Sequence, residues 1–189
     1  LAEEGHFRAG GFAPICPILF SGLMLHEGSI LSSEVERTEG ITTSVLNNYN
    51  IKSNDLLVIF TNSGVNQAPL EAAFYAKELN CFTIGIASLE YSKIAPKSNI
   101  NKILNDVVDI FIDNHGPPGD ALVEVEELKK VSPLSTISGS FILNSIISCV
   151  GELCKDEKLF PFYISGNMPR ANEHNKKLLE LYKNRNPHI

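Results

Sequence analysis

The sequence predicts an α/β fold with a three-layer, doubly wound parallel sheet. Apolar runs of strand length, such as Leu56–Phe60 and Phe82–Ala87, alternate with stretches of helical spacing, which is typical of this class. Polar loops at residues 61–67, 88–92 and 113–120 follow predicted strands. In such sheets the crossovers are nearly always right-handed, and ligands bind at the carboxyl ends of the strands. These loops are therefore the expected ligand site.

The first part of the chain is predicted to contain a strand and a long helix. After an opening helix fragment, the apolar run Pro14–Phe20 predicts a short strand. Ser32 or Ser33 suits the N-cap of a helix that extends to about Asn47 and carries acidic residues in its first turn.

A buried strand and a second helix are predicted next. Leu56–Phe60 has the length and apolar content of a buried parallel strand. Pro69 suits the first helical position, because its missing N–H would be unpaired there. This helix is predicted over Pro69–Asn80, and Phe82–Ala87 follows as a strand.

The second half of the chain predicts a strand, an edge strand and two helices. Val107–Ile112 reads as a strand, and Ala121–Val125 as a short edge strand. Apolar residues at helical spacing predict a core helix over residues 134–154. It is interrupted by polar residues and its apolar core is too short to span a bilayer, so a buried helix is expected and no membrane partner. Pro161–Ile164 is a further short run, and Glu173–Asn184 predicts a final amphipathic helix.

Composition narrows the function classes. The chain has 189 residues, 43% of them hydrophobic, and a net charge of −6, which fits one globular domain. An acidic chain without a basic stripe lacks the footprint of a nucleic-acid binder. The four cysteines form no Cys-x-x-Cys pair, and they read as buried free thiols of a reduced cytoplasm. No histidine has zinc-ligand spacing, so we expect no metal and no cofactor.

The loop at residues 61–67 has the chemistry of an anion site. Thr61, Ser63 and Asn66 supply side-chain donors, and the helix that follows makes free backbone N–H groups attractive to phosphate. The loop is neither a P-loop nor a dinucleotide fingerprint, because their glycine and lysine patterns are absent. A plain strand-to-helix connection is the alternative.

Two motifs resemble the core of the sugar isomerase (SIS) domain. They are Thr61-Asn62-Ser63-Gly64-Val65-Asn66, ahead of a helix, and Thr83-Ile84-Gly85-Ile86-Ala87-Ser88. The first differs from the domain's Ser-x-Ser-Gly-x-Thr pattern by Thr for the first Ser and Asn for the final Thr. The chain also resembles bacterial SIS proteins described as phosphosugar-binding, through further segments spread over nearly its whole length: residues 1–4, 8–11, 33–40, 113–121, 135–136, 141–144, 165–167 and 173–175.

The resemblance implies a flavodoxin-like SIS fold that binds a phosphosugar. It implies that residues 1–189 form a single domain, with 160–189 as its C-terminal extension. A SIS domain starts with a helix and a central strand, whereas this chain opens inside the helix that follows them. We therefore expect that Leu1 is not the native start and that roughly a strand and a helix precede it. The implied ligand residues are Thr61, Asn62, Ser63, Gly64, Asn66, Ser88, Ser135 and Thr136.

Ser135 and Thr136 stand at the start of the predicted core helix. One of them is suited to be an N-cap. By the resemblance, this helix start also faces the phosphosugar. The two interpretations are compatible, because a helix N-terminus favours anions.

Glu36 and His174 are the catalytic candidates. Aldose–ketose isomerisation needs a carboxylate to remove a proton beside the carbonyl, and SIS isomerases and the related etherases use glutamates for proton transfer. Glu36 ranks above Glu39; the alternative is that both face solvent. His174 suits ring opening because histidine exchanges protons near neutral pH, and the alternative is a surface histidine that caps the last helix.

The segment Asp113–Asp120 leaves three interpretations open. Its prolines and glycines fix a rigid loop after a strand. It lines the site through Asp120, forms a structural turn, or makes a dimer contact.

The function expected is phosphosugar binding with isomerase or etherase (lyase) chemistry. A non-catalytic phosphosugar sensor is the alternative, and a structural subunit of an oligomer is a third. The resemblance implies a homodimer or homotetramer. The sequence identifies neither the sugar nor the reaction among these.

Overall fold

The computed structural model describes residues 1–189, which form two compact units. One unit combines Leu1–Ile18 with Ser140–Ile189, and the other is Leu19–Gly139. The α-helices are α1 (Ala2–His6), α2 (Ser29–Val35), α3 (Ile41–Leu46), α4 (Gln67–Glu78), α5 (Leu89–Ile94), α6 (Ser135–Leu153) and α7 (Ala171–Tyr182). The strands are β1 (Leu56–Phe60), β2 (Phe82–Ala87), β3 (Ile110–Asp113), β4 (Ala121–Glu126) and β5 (Lys129–Pro133). The single domain inferred from the sequence stays a prediction.

The unit Leu19–Gly139 is built on a three-stranded sheet with the order β1-β2-β3. Both pairs are parallel, and the register places Val58 opposite Ile84 and Ile84 opposite Ile110. Parallel strands connected through helices are the α/β arrangement, so the fold class is confirmed. β1 and β2 have the predicted bounds, while β3 begins three residues later than predicted.

One face of this sheet carries the hydrophobic core. Leu70 and Ala73 of α4 pack on Ile59, together with Leu104 and Val107 from the connection before β3. Gly85 lets Leu104 approach, because a Cβ there would lie 2.8 Å from the leucine side chain.

The other face of the sheet is apolar and partly open. Leu56 and Phe82, paired across β1 and β2, are each 51% exposed. Val58 and Ile110 on the same face are exposed as well. Parallel sheets usually have both faces covered.

Two predicted elements of the first part are wrong. The helix expected from Ser32 or Ser33 to Asn47 is divided into α2 and α3 by a turn at residues 36–40. Gly40 has φ +81° at the N-cap of α3, a conformation outside a continuous helix. The expected strand Pro14–Phe20 does not form: Pro14 lies in a turn and residues 15–20 have no strand pairing, since Pro14 and Pro17 have no N–H to donate.

The edge strand expected at Ala121–Val125 is one arm of an antiparallel hairpin. β4 pairs with β5, and Val123 lies opposite Val131. β5 was not predicted from the sequence. Nearly every residue of both strands is exposed.

α6 has almost the predicted bounds, but the prediction that it is buried is wrong. Ile137 is 68% exposed and Phe141 is 73% exposed. Apolar periodicity identifies a helix and its stripe, whereas burial depends on what packs against that stripe. By length and composition alone α6 could cross a membrane. One such helix is weak evidence for a membrane span, because core helices of soluble proteins and signal sequences can have the same length and apolar composition.

The unit formed by the two ends of the chain has its own small core. Leu178 of α7 is fully buried and packs with Ala13 and Tyr163. An isolated antiparallel bridge joins Phe12 to Phe162, and α7 begins two residues earlier than predicted.

Candidate functional site

The loop at residues 61–66 lies at the carboxyl ends of three adjacent strands. Hydrogen bonding continues past the strands: the Thr61 N–H donates to Ile86 at 3.0 Å, the Ser88 N–H to Asn62 at 2.9 Å, and the Asn114 N–H to Ala87 at 3.0 Å. The loops that follow β1, β2 and β3 therefore begin side by side. This is the edge where ligands of parallel α/β sheets bind.

Gly64 gives the loop its bend. Its φ of +65° is left-handed, and a Cβ would lie 2.7 Å from the Ser92 hydroxyl oxygen. Its carbonyl accepts the Leu104 N–H at 2.8 Å. Gly64 is buried, so it shapes the loop from inside.

The loop and the start of α4 present unused donors. The backbone N–H groups from Ser63 to Gln67 donate to no acceptor within the chain, and Asn66 at the N-cap makes no side-chain cap. Pro69 is at the third helical position, not the first as predicted, and it removes one further N–H. The partly exposed side chains of Thr61 and Ser63 are not used in hydrogen bonds within the chain. Successive free N–H groups at a helix N-terminus favour an anion.

We call the free backbone N–H groups of Ser63 to Gln67 the cradle. A pair of asparagine side chains lies beside it. The Asn114 Nδ2 donates to the Asn62 Oδ1 at 3.3 Å, and the Asn114 Oδ1 accepts the Gly116 N–H at 2.8 Å. The Asn62 Nδ2 is buried without an acceptor. Asn114 was not among the ligand residues expected from the sequence, although it directly follows β3 as Thr61 and Asn62 follow β1, and that position was a usable signal.

Ser88 does not present its side chain to a ligand. It is fully buried, its hydroxyl donates to the Gly116 carbonyl, and the same oxygen caps α5 by accepting the Tyr91 N–H at 3.1 Å. Its expected role in ligand binding conflicts with this burial, because the hydroxyl is satisfied within the protein.

The start of α6 is occupied by a carboxylate of the chain itself. The Asp120 Oδ1 accepts the N–H groups of Leu134 at 3.0 Å and Ser135 at 2.8 Å, and its Oδ2 accepts the Ser135 hydroxyl at 2.7 Å. Of the three interpretations of loop 113–120, this contact favours the structural turn. Thr136 is exposed, and phosphosugar binding by Ser135 and Thr136 stays a prediction.

Glu36 lies beside the start of α4. Its backbone carbonyl accepts the Ala68 N–H at 2.9 Å, and its half-buried carboxylate is 3.8 Å from the Arg37 guanidinium. Glu39 is exposed. Residues 36–40 form a turn, so Glu36 and Glu39 do not share a helix face. The Glu36 backbone is bonded to the helix whose start carries the free N–H groups.

His174 belongs to the other unit, where its imidazole is engaged locally. The Nε2 lies 2.9 Å from the Phe162 carbonyl oxygen. The neighbouring Asn175 side chain bonds both the N–H and the carbonyl of Ile164. These contacts attach α7 to the chain segment before it, and a catalytic role for His174 stays a prediction.

The cysteines are free thiols with different exposures. Cys81 is buried, and burial raises the pKa of its thiol. Cys149 is exposed, so the expectation that all four are buried is wrong. No group of three or more His, Cys, Asp or Glu side chains could hold a metal ion within residues 1–189.

Comparisons with known proteins identify the family. The SIS domain family model matches residues 1–88. The UPF0309 proteins of Brucella canis, Brucella melitensis and Brucella anthropi are each 41% identical over 190 residues, an alignment that covers all of this chain and 78% of each relative. The chain belongs to the UPF0309 family of SIS-domain proteins.

Proposed function

We propose that the protein binds a phosphorylated sugar or amino sugar and catalyses its isomerisation or a related etherase (lyase) reaction. The observation that carries the proposal is the cradle of five free backbone N–H groups, Ser63 to Gln67, beside the Thr61 and Ser63 hydroxyls. Membership of the SIS class supports phosphosugar chemistry in general.

The cradle suits a phosphate that must bind and leave. It lies at the N-terminus of α4, whose dipole favours negative charge. No lysine or arginine occurs between Thr61 and Asn66, so the anion is held by neutral donors. The sugar then extends from its phosphate over the ends of the neighbouring strands.

Glu36 is proposed as the base of the reaction. A carboxylate beside the bound sugar removes the proton from the carbon next to the carbonyl, and an enolate or enediolate forms on the substrate. In isomerisation the same carboxyl returns the proton to the neighbouring carbon. In elimination the leaving group departs from the next carbon instead. His174 is the proposed ring-opening residue.

The test is a comparison of phosphorylated sugars with their unphosphorylated parents on the full-length protein. Hexose, hexosamine and N-acetylhexosamine phosphates are expected to raise the unfolding midpoint, since a ligand that binds only the folded state stabilises it. The parent sugars should not. Equal shifts from both sets, or none from either, would overturn the phosphate cradle.

Turnover is tested by proton exchange with the solvent. In deuterium oxide, NMR should show loss of the proton beside the carbonyl of the sugar phosphate that binds. Glu36→Gln should abolish exchange and leave affinity unchanged, while Glu34→Gln, an exposed carboxylate in α2, serves as the matched control. Binding without exchange in the wild-type protein would favour the sensor over the enzyme.

The assembly and location expected from the resemblance are proposals as well. We propose a homodimer or homotetramer in the cytoplasm. Sedimentation analysis of the full-length protein measures its mass in solution, and a monomer at micromolar concentration would contradict the assembly.

A further inference from the structure

The turn Glu36–Gly40 is fixed to α4 at both of its ends. At one end the Ala68 N–H donates to the Glu36 carbonyl at 2.9 Å. At the other, the Gly40 N–H donates to the Glu71 Oε1 at 2.7 Å. Ala68 and Glu71 both belong to the first turns of α4, so the turn is attached to the helix end that carries the anion cradle.

The contact at Gly40 depends on the Glu71 side chain. Gly40 is the N-cap of α3 and has no side chain of its own to cap the helix. A carboxylate at this helix start is favoured by the dipole, and a charge-assisted hydrogen bond is stronger than a neutral one. Glu71 is thus the side chain that fixes this end of the turn.

One oxygen of the Glu71 carboxylate is buried at a cost in free energy. Its Oε1 also accepts the Nε2 of Gln67, a buried residue, at 3.0 Å. Its Oε2 is buried without a donor. An unpaired buried carboxylate oxygen is unfavourable, so the contacts of the other oxygen account for the presence of this residue.

We propose that Glu71 is a positioning residue, which holds the turn Glu36–Gly40, and with it the Glu36 carboxylate, at the phosphosugar. This inference rests on the proposed function. The need for such a residue follows from the local structure: the turn lies between two short helices, and the Glu36 carboxylate is paired with Arg37 at 3.8 Å, its sequence neighbour in the same turn. A displacement of about 1 Å in a catalytic group can cost about a hundredfold in rate.

The first variant is Glu71→Ala. It should lower kcat by about tenfold to a hundredfold, while KM and the affinity for the sugar phosphate stay within about twofold, because Glu71 bonds the Gln67 side chain and none of the backbone N–H groups of the cradle. The Gly40 amide, followed by NMR hydrogen exchange, should exchange faster. Exchange at Gly40 requires no substrate, so it reports on the attachment whatever the reaction is.

Tyr75→Phe is the matched control. The Tyr75 hydroxyl donates to the Asn47 Oδ1 at 2.9 Å and joins the far end of α3 to the same helix. Its loss should leave kcat within about twofold of wild type. An equal loss of kcat in both variants would mean that α3 packing in general matters, and would overturn the specific role of Glu71.

Glu71→Gln separates positioning from direct catalysis. Its amide oxygen can still accept the Gly40 and Gln67 donors, so kcat should recover to within about fivefold of wild type. If Glu71→Gln is as inactive as Glu71→Ala while Gly40 exchange is normal, the carboxylate acts on the substrate itself and the positioning role is overturned.

The remaining outcomes separate this inference from the proposed function. Unchanged Gly40 exchange in Glu71→Ala overturns the attachment even if the wild-type protein is active. Normal kcat with fast Gly40 exchange overturns the positioning role. If the wild-type protein turns over no sugar phosphate, the proposed reaction fails and the positioning role fails with it, whereas faster Gly40 exchange would still establish the attachment alone.

Discussion

The starts of α4 and α6 carry similar residues but differ in what occupies them. α4 follows the polar loop 61–66, whereas α6 follows β5 almost directly, and both helix starts were predicted to bind the phosphosugar. At α4 the N–H groups from Ser63 to Gln67 have no acceptor in the chain. At α6 the Asp120 carboxylate already accepts two N–H groups and the Ser135 hydroxyl. A helix N-terminus is therefore an anion site only where the chain does not supply the anion itself.

The largest effect is expected from a substitution in the loop before α4. Gly64→Ala should lower the free energy of unfolding by about 2–4 kcal/mol and abolish sugar-phosphate binding, because a Cβ at φ +65° lies 2.7 Å from the Ser92 oxygen. Thermal unfolding and titration calorimetry measure the two effects.

Gly119→Ala is its control. Gly119 also has a left-handed φ, +81°, but a Cβ there meets nothing within 4 Å. Gly119→Ala should lower the free energy of unfolding by only about 1 kcal/mol and leave sugar-phosphate binding unchanged. Equal effects of the two substitutions would contradict the tight approach at Gly64.

The next effect concerns the occupied helix start. Asp120→Ala should lower the free energy of unfolding by about 1–2 kcal/mol, because α6 loses the carboxylate that caps it. Chemical denaturation is the measurement. Affinity for the sugar phosphate should not change; a gain in affinity would show that Asp120 blocks a phosphate site at α6.

Two serine variants compare the contributions of the two helix starts to sugar-phosphate affinity. Ser63→Ala should weaken sugar-phosphate binding by about tenfold, since a hydrogen bond to a charged group contributes about 1.5 kcal/mol or more. Ser135→Ala should change affinity by less than about twofold, because its hydroxyl already donates to Asp120. Titration calorimetry measures the affinity of both variants. A larger loss of affinity in Ser135→Ala than in Ser63→Ala would place the phosphate at α6.

The smallest effect is expected at Asp109, which directly precedes β3 and so lies at the end of the parallel sheet opposite the cradle. Hydrogen bonds from the Thr83 hydroxyl and N–H, with the Lys77 ammonium nearby, lower the pKa of the Asp109 carboxyl. A carboxyl with a lowered folded-state pKa stabilises the protein above its ordinary pKa, and this contribution is lost as the pH falls through the folded-state value.

Asp109→Asn tests this carboxyl and serves as a reference for both helix starts. It should reduce the loss of stability that the wild-type protein shows below about pH 4. Acid denaturation curves measure the change. Sugar-phosphate affinity at neutral pH should stay the same, and a decrease would mean that substitutions far from the cradle also perturb it.

The sequence was informative where structure follows from local pattern. Apolar runs located β1 and β2, and helical spacing located α6 within one residue at each end. The polar loop after β1 was identified from residue type alone. Its motif also carried the resemblance to SIS proteins, which the comparisons confirmed.

Long-range contacts explain the features that could not be predicted from the sequence. Ser88 and Ser63 have the same donor, yet Ser88 is fully buried against Gly116 whereas Ser63 is partly exposed. No local pattern indicates that Glu71 bonds Gly40, since the two are 31 residues apart. The exposure of α6 likewise depends on its neighbours.

The sequence by itself determined the fold class, the family and the loop at Thr61–Asn66, because strand length, helical spacing and turn residues are local properties of the chain. Only the tertiary structure decided which donors stay free. It divided the expected helix at Gly40, attached Glu36 to the start of α4, buried Ser88 and brought Asp120 to α6. The physical reason is that a polar group binds a ligand only after the rest of the fold has left it unsatisfied, and that depends on residues far away in the chain.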